Sequence, residues 1–206
     1  MQDAIDTHFA LTTRTVRRAE SHGRPVAVVV LRRRVEASLD QVWEAITDPE
    51  QLAAWFLPVT GDLRAGGRFQ IEGNASGTIK RCREPESLIL TWEFGGEVTW
   101  LDVAITPVAA GKVRIEVAHA CPTGEHWDTY GPGAGGVGWD LTLLGLAQHL
   151  KGATVTDPKA WAESEEGLAF VTRCAEAWAD ADVAAGAVEP VAKGAAVRTS
   201  GFYRGE

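Results

Sequence analysis

The sequence predicts an α+β fold in which an antiparallel sheet grips one long helix. Three observations carry that expectation. Residues 35–58, VEASLDQVWEAITDPEQLAAWFLP, read as a strand end followed by two short helices. Between Gly66 and Ala120, alternating apolar and polar segments are broken repeatedly by turn residues. The stretch from about Val137 to Leu150 then sets Trp139, Leu143, Leu146 and Leu150 on one helical stripe. The sheet and the helix each present one apolar face, and they bury these faces against each other.

Taken in order, residues 3–20 are expected to form a helix with Ile5, Phe9 and Val16 as its apolar positions, although Thr12, Thr13 and Thr15 weaken it. Ser21–Pro25 is a turn, and Pro25–Glu36 is a strand built on the β-branched run Val26–Val30. Ser38 or Asp40 caps the next helix, whose apolar face is Val42, Trp43 and Ile46. Asp48 caps a second helix with Pro49 at its first position, carrying Leu52, Trp55 and Phe56 until Pro58 ends it. Strands follow around RFQIEG, TIKRCR, LILTWEF, VTWLDVAIT and KVRIEVAHA. Leu88, Leu90, Trp92 and Phe94 share one face, as do Val113, Ile115, Val117 and His119. Gly95 and Gly96 make a tight hairpin. Pro122–Gly136 reads as an irregular loop, its glycines making it mobile. An extension begins at Thr156–Lys159, with one or two helices over 158–185 and a last one from about Glu189 to Tyr203.

The 206 residues suffice for one domain with a sizeable core plus an extension. A net charge of −8 argues against nucleic-acid binding, which needs a basic face to displace counterions. No apolar run is long enough for a membrane span, and Val26–Leu31 is cut off by Arg32–Arg34. The N-terminus has no basic leader with an apolar segment behind it, so no secretory signal is expected. Cys82, Cys121 and Cys174 are odd in number and widely spaced, which implies no disulfide framework and points to a reducing cytoplasm.

Several short motifs accompany this order of elements: WEAITDP at Trp43–Pro49, the pair Trp55 and Phe56, GGRF at Gly66–Phe69, TWE at Thr91–Glu93, and Gly138, Trp139 and Asp140 followed by Leu143 and Leu146. With them the chain resembles the SRPBCC (START/Bet v 1-like) superfamily, and within it the branch named after the activator of Hsp90 ATPase. The likeness covers about residues 26–151. It implies a helix-grip fold: a curved antiparallel sheet wrapped around the long C-terminal helix, with a cavity between them. Residues 1–25 then form an N-terminal segment, and residues 152–206 a helical extension packed on the domain. The superfamily holds binders, cyclases and transfer proteins, so the resemblance names a fold rather than a reaction.

The residues expected to line the cavity are Trp55, Phe56, Phe69, Trp92, Trp100, His119, Trp127, Tyr130, Trp139 and Leu143. Indole and phenyl rings offer broad apolar walls, and His119, Tyr130 or an indole N–H can orient a ligand. Trp100 lies on the opposite face from Leu101, Val103 and Ile105 if the strand alternates strictly. Trp127 and Tyr130 could act as a lid. The expected partner is a hydrophobic small molecule such as a lipid, a polyketide-like compound or an aromatic metabolite. The chain would be a monomer or homodimer. A cyclase or hydrolase on the same scaffold and an Hsp90-type interaction module are the alternatives. No catalytic residue, cofactor or metal is expected. His119, Cys121 and His126 have a conceivable zinc spacing but no second cluster, and Cys121, His126 and Asp128 lack a fixed nucleophile geometry. The carboxylates Glu72, Glu93, Glu97, Asp102 and Glu116 could include one inward general base, and most are expected to be solvated partners of Arg81, Arg83 and Arg114.

Overall fold

The structure, a computed structural model, describes residues 1–21, 23–153 and 158–206, without side chains at 158 and 159. The described residues form eight helices and an eight-stranded antiparallel sheet of order β1-β2-β8-β7-β6-β5-β4-β3. The elements run α1 Gln2–Leu11, β1 Thr12–Ser21, β2 Arg24–Val35, α2 Leu39–Thr47, α3 Pro49–Trp55, β3 Val59–Gly61, β4 Arg68–Ile71, β5 Ser76–Arg83, β6 Ser87–Phe94, β7 Glu97–Ala109 and β8 Lys112–Pro122. They continue with α4 Glu125–Tyr130, α5 Gly133–His149, α6 Pro158–Glu163, α7 Glu165–Ala184 and α8 Glu189–Arg204. The expected start of the extension at 156–157 lies outside the described residues.

The chain divides into two compact units. One comprises Arg32–His119 and Gly145–Thr154, the other Met1–Leu31, Ala120–Leu144 and Val155–Glu206.

The first of these holds α2, α3 and the strands from β3 to β7. Ser38 opens α2 with a capping box: Gln41 N–H donates to the Ser38 hydroxyl, and Ser38 N–H donates to the Gln41 side chain. Asp48 caps α3 by accepting from the N–H groups of Glu50 and Gln51 at 2.9 Å each, with Pro49 at the first position. The β6–β7 register sets Trp92 opposite Thr99 and Leu90 opposite Leu101. At the hairpin tip Gly95 and Gly96 both adopt positive φ, the conformation a two-residue turn between twisted strands requires. Gly77 faces Phe69 across β4–β5, and a Cβ there would lie 2.9 Å from the Phe69 ring. The missing side chain lets that ring cross the strand. Val113, Ile115, Val117 and His119 are all buried, as their shared face predicts.

In the other unit α7 buries Phe170, Val171, Cys174, Ala175, Trp178 and Ala179, a stripe recurring at helical spacing. The stripe that α8 buries is made of small residues, Ala192, Ala195, Ala196, Thr199 and Ser200, which lets the two helices approach closely. A buried polar cluster sits beside them. His8 Nε2 lies 2.7 Å from Asp140 Oδ1, Arg14 donates Nε to Oδ2 at 3.0 Å and Nη2 to Oδ1 at 2.5 Å, and Trp178 Nε1 donates to Oδ2 at 2.8 Å. Asp140 is thereby satisfied on both oxygens, as a buried carboxylate must be. Burial opposes its charge, but the His8 hydrogen bond and the Arg14 guanidinium outweigh that and hold its carboxyl below the usual range. Burial pushes the neighbouring Cys174 thiol well up, so it is an inert core residue.

Two expectations are corrected. The helix over residues 3–20 ends at Leu11, and Thr12–Ser21 is a strand. The β-branched Thr12, Thr13, Thr15 and Val16 favour it, and its period of two sets Arg14 and Arg18 on one face, where they reach Asp140 and Asp182. The irregular loop over 122–136 instead contains α4, and α5 begins at Gly133 inside the glycine run. These glycines make room. A Cβ on Gly133 would lie 3.0 Å from Thr199 Cγ2, and one on Gly136 would lie 2.3 Å from Trp178 Cε2. Trp178 is fully buried and tied to Asp140, so it has nowhere to move. Gly136→Ala should therefore lower stability by about 3 kcal/mol, near the upper end for overpacking. A urea midpoint unchanged from wild type would show that the Trp178 ring has room to yield.

Candidate functional site

The unit of Arg32–His119 and Gly145–Thr154 carries an apolar face with one polar pair at its margin. Phe69, Ile71 and Ile79 are its buried centre. Phe56, Leu57, Val59, Leu63, Leu90 and Trp92 pack against that centre and are only partly buried. Local structure places them. Alternation in β4 turns Phe69 and Ile71 inward, alternation in β6 does the same for Leu90 and Trp92, and the end of α3 delivers Phe56 and Leu57. The Trp92 ring centroid lies 6.4 Å from that of Phe69 and 6.3 Å from that of His119, the latter edge to face.

The polar pair is His119 and Thr99. The Thr99 hydroxyl lies 2.6 Å from His119 Nε2 and donates to the Trp92 carbonyl at 3.0 Å. When the Thr99 proton points to the carbonyl, the hydroxyl oxygen accepts from His119 Nε2–H. Burial pushes the His119 imidazole down from 6.5 to about 4, so it is neutral near pH 7. The sign of the pH dependence follows. Below pH 6.5 the unfolded chain takes up a proton that the folded state refuses, so stability falls as pH drops from about 6.5 to 4. The shift corresponds to about 3 kcal/mol. Urea midpoints between pH 7.5 and 4.5 should decline more steeply for wild type than for His119→Gln. Parallel slopes would contradict a buried neutral imidazole.

Of the residues expected to line a cavity, the structure gathers Phe56, Phe69, Trp92 and His119. Trp55 touches Phe56 with ring centroids 5.5 Å apart, donates Nε1 to the Ala45 carbonyl at 2.8 Å and stacks on His149, which ties α3 to α2 and to the end of α5. Trp100 pairs in register with Thr91, one residue out of phase with Trp92 and Thr99, and so sits on the opposite face. Trp127, Tyr130, Trp139 and Leu143 belong to the other unit. Arg18 lies over the Trp127 ring at 5.1 Å, Tyr130 packs between His126 and Phe202, Trp139 is half-buried and Leu143 is buried.

Sequence reasoning passed over Thr99, Leu57 and Leu63. Thr99 was within reach, because period two places it on the face of Leu101 and Ile105. Leu57 and Leu63 lie at the ends of loops, where no period applies.

Three of the five carboxylates are placed by their contacts or their strand register. Arg68 binds Glu93 through both oxygens at 3.1 and 2.8 Å, and that hydrogen-bonded pairing holds the Glu93 carboxyl below its usual range. Arg32 donates to Glu116 at 2.6 Å. Burial raises the Asp102 carboxyl, but Asp102 alternates with Leu101 and Val103 and points away from the apolar face. Among the described residues no group of three or more His, Cys, Asp or Glu is arranged to hold a metal. An open groove of about 620 Å³ on the other unit, lined by Leu168, Ala169, Thr172 and Arg173, contains none of the expected aromatics.

An eight-stranded antiparallel sheet with α2 and α3 inserted after its second strand, followed by a long helix after its last, is the helix-grip class of α+β protein. The family model described as activator of Hsp90 ATPase homolog 1-like protein matches residues 36–151, more than half of the chain, and the chain belongs to that family. Among solved structures it is similar to CalU16 from Micromonospora echinospora. The crystal structure of that protein is 29% identical with a TM-score of 0.69, covering 82% of this chain and 97% of CalU16. Its solution structure is 30% identical with a TM-score of 0.72, covering 84% and 96%. The protein EF2215 from Enterococcus faecalis shares the fold at 16% identity and a TM-score of 0.61, over 87% of this chain and 97% of that one. No curated protein matches the sequence.

Proposed function

We propose that this chain binds an uncharged, apolar small molecule (a lipid, a polyketide-like compound or an aromatic metabolite) on the face that carries Phe56, Phe69, Trp92 and His119. The observation that supports this most is that six large hydrophobic side chains around Phe69, Ile71 and Ile79 are only partly buried. A finished core would cover them. Apolar ligand area placed there gains about 25 cal/mol per Å² before ordering costs. His119, which packs against Trp92, is neutral near pH 7 and so offers no charge to a ligand placed beside it.

A cyclase or hydrolase finds less support. A general base works best with a pKa near the working pH, and His119 at about 4 is a weak base. Glu93 is held in its ion pair with Arg68. Among the described residues no helix is long and apolar enough to cross a membrane.

The test is a titration with an uncharged lipophilic dye such as Nile red. Binding should saturate at one dye per chain and quench tryptophan emission. Non-saturating or absent binding would count against the proposal, and a pull-down with Hsp90 would then become the informative experiment.

A further inference from the structure

The helix α4 has only six residues, and none of them is buried. Gly124 at its N-cap supplies no side-chain hydrogen bond. A helix this short does not hold itself together in water, so its neighbours must hold it. Two of its C-terminal carbonyls, which helix geometry leaves unpaired, are taken by α8. Arg198 Nε donates to the Thr129 carbonyl at 2.6 Å, and the Thr199 hydroxyl donates to that of Tyr130 at 2.7 Å. Phe202 lies against the Tyr130 ring, with centroids 5.6 Å apart. From β1, Arg18 covers the Trp127 ring while donating to Asp182 at 2.6 Å.

Beyond α4 the chain is rigidly seated. Gly131, Pro132 and Gly133 are buried, Ala195 and Thr199 close on the two glycines, and the Tyr203 hydroxyl donates to the Ala134 carbonyl at 2.9 Å. Gly131 itself has φ +61, a positive value that glycine tolerates and that lets the chain turn sharply there.

We infer that α4 is a flap hinged at Gly131 and held folded by a latch of side chains from α8 and β1. It opens locally while α5, α7 and α8 stay folded, because none of its residues is buried whereas theirs make up a buried core. Opening releases Trp127 and Tyr130 together. The C-terminal helix α8 thus serves as a strap, supplying the carbonyl partners that a further helical turn would otherwise give.

Hydrogen exchange read by mass spectrometry tests this on the full chain. Arg198→Ala and Thr199→Val should each speed exchange over 125–131 by about tenfold, the loss of one donor. Amides of 165–184 should keep wild-type rates, and Val197→Ala, an exposed change on the same helix, should alter nothing. Unchanged exchange over 125–131 would overturn the latch. Joint acceleration of 125–131 and 165–184 would overturn the flap, because α4 would then open only with the whole unit. Because dye binding is not the readout, failure of the proposed ligand leaves this result unaffected.

Discussion

Asp140→Ala is expected to lower stability by about 3–5 kcal/mol at neutral pH, the cost of breaking a buried ion pair from one side. The substitution leaves the Arg14 guanidinium uncompensated at 7% side-chain exposure and His8 at 0%. It also strips the acceptor from Trp178 Nε1, so a donor in the centre of the core goes unsatisfied. Asp140→Asn keeps the shape and one carbonyl and should lose less. Urea unfolding at pH 7 measures both. A loss below 1 kcal/mol for the alanine variant would mean that the cluster is not holding α1, β1, α5 and α7 together. The acid limb has a definite sign. The folded Asp140 carboxyl lies below its unfolded value, so its contribution is full above about pH 4 and is lost as pH falls through the folded value.

That cluster also shows where the sequence was hard to read. Its members come from α1, β1, α5 and α7, and Asp140 stands 132 residues from His8 and 126 from Arg14. The one local sign is an acid inside the apolar run of α5, and nothing near it in sequence names its partner. The same distance hid β1. Thr12–Ser21 is ambiguous by local preference, and the partners of Arg14 and Arg18 decide it. The glycines of 131–136 suggested mobility because the ring that needs Gly136, Trp178, is far along the chain. By contrast α2 and α3 were legible because their caps, Ser38 and Asp48, act within three residues. The sheet face was legible in β8, where strict alternation marks Val117 and His119, and in part in β6, where Leu90 and Trp92 lie on it but Phe94, expected beside them, is exposed. Of the expected site residues, Phe56, Phe69, Trp92 and His119 come together on that face. Trp100 falls on the other side by one step of register.

Trp92→Ala should weaken binding of an uncharged lipophile about thirtyfold. Roughly 100 Å² of indole surface contact at about 25 cal/mol per Å² is ~2 kcal/mol after some repacking. Trp92 is only half-buried, so the variant should remain folded, with circular dichroism unchanged. Trp100→Ala is the control: an equally large deletion on the opposite face should leave affinity within twofold. Fluorescence titration with Nile red compares the three proteins. Equal losses in both variants would point to a general loosening of the sheet rather than to a site at Trp92.

Native mass spectrometry of freshly purified protein, followed by denaturing extraction, tests the central claim most directly. The account predicts a stoichiometric, uncharged apolar adduct that is lost in Trp92→Ala and retained in Trp100→Ala. A clean unliganded mass for wild type, together with no thermal shift across a library of uncharged lipophiles, would contradict it.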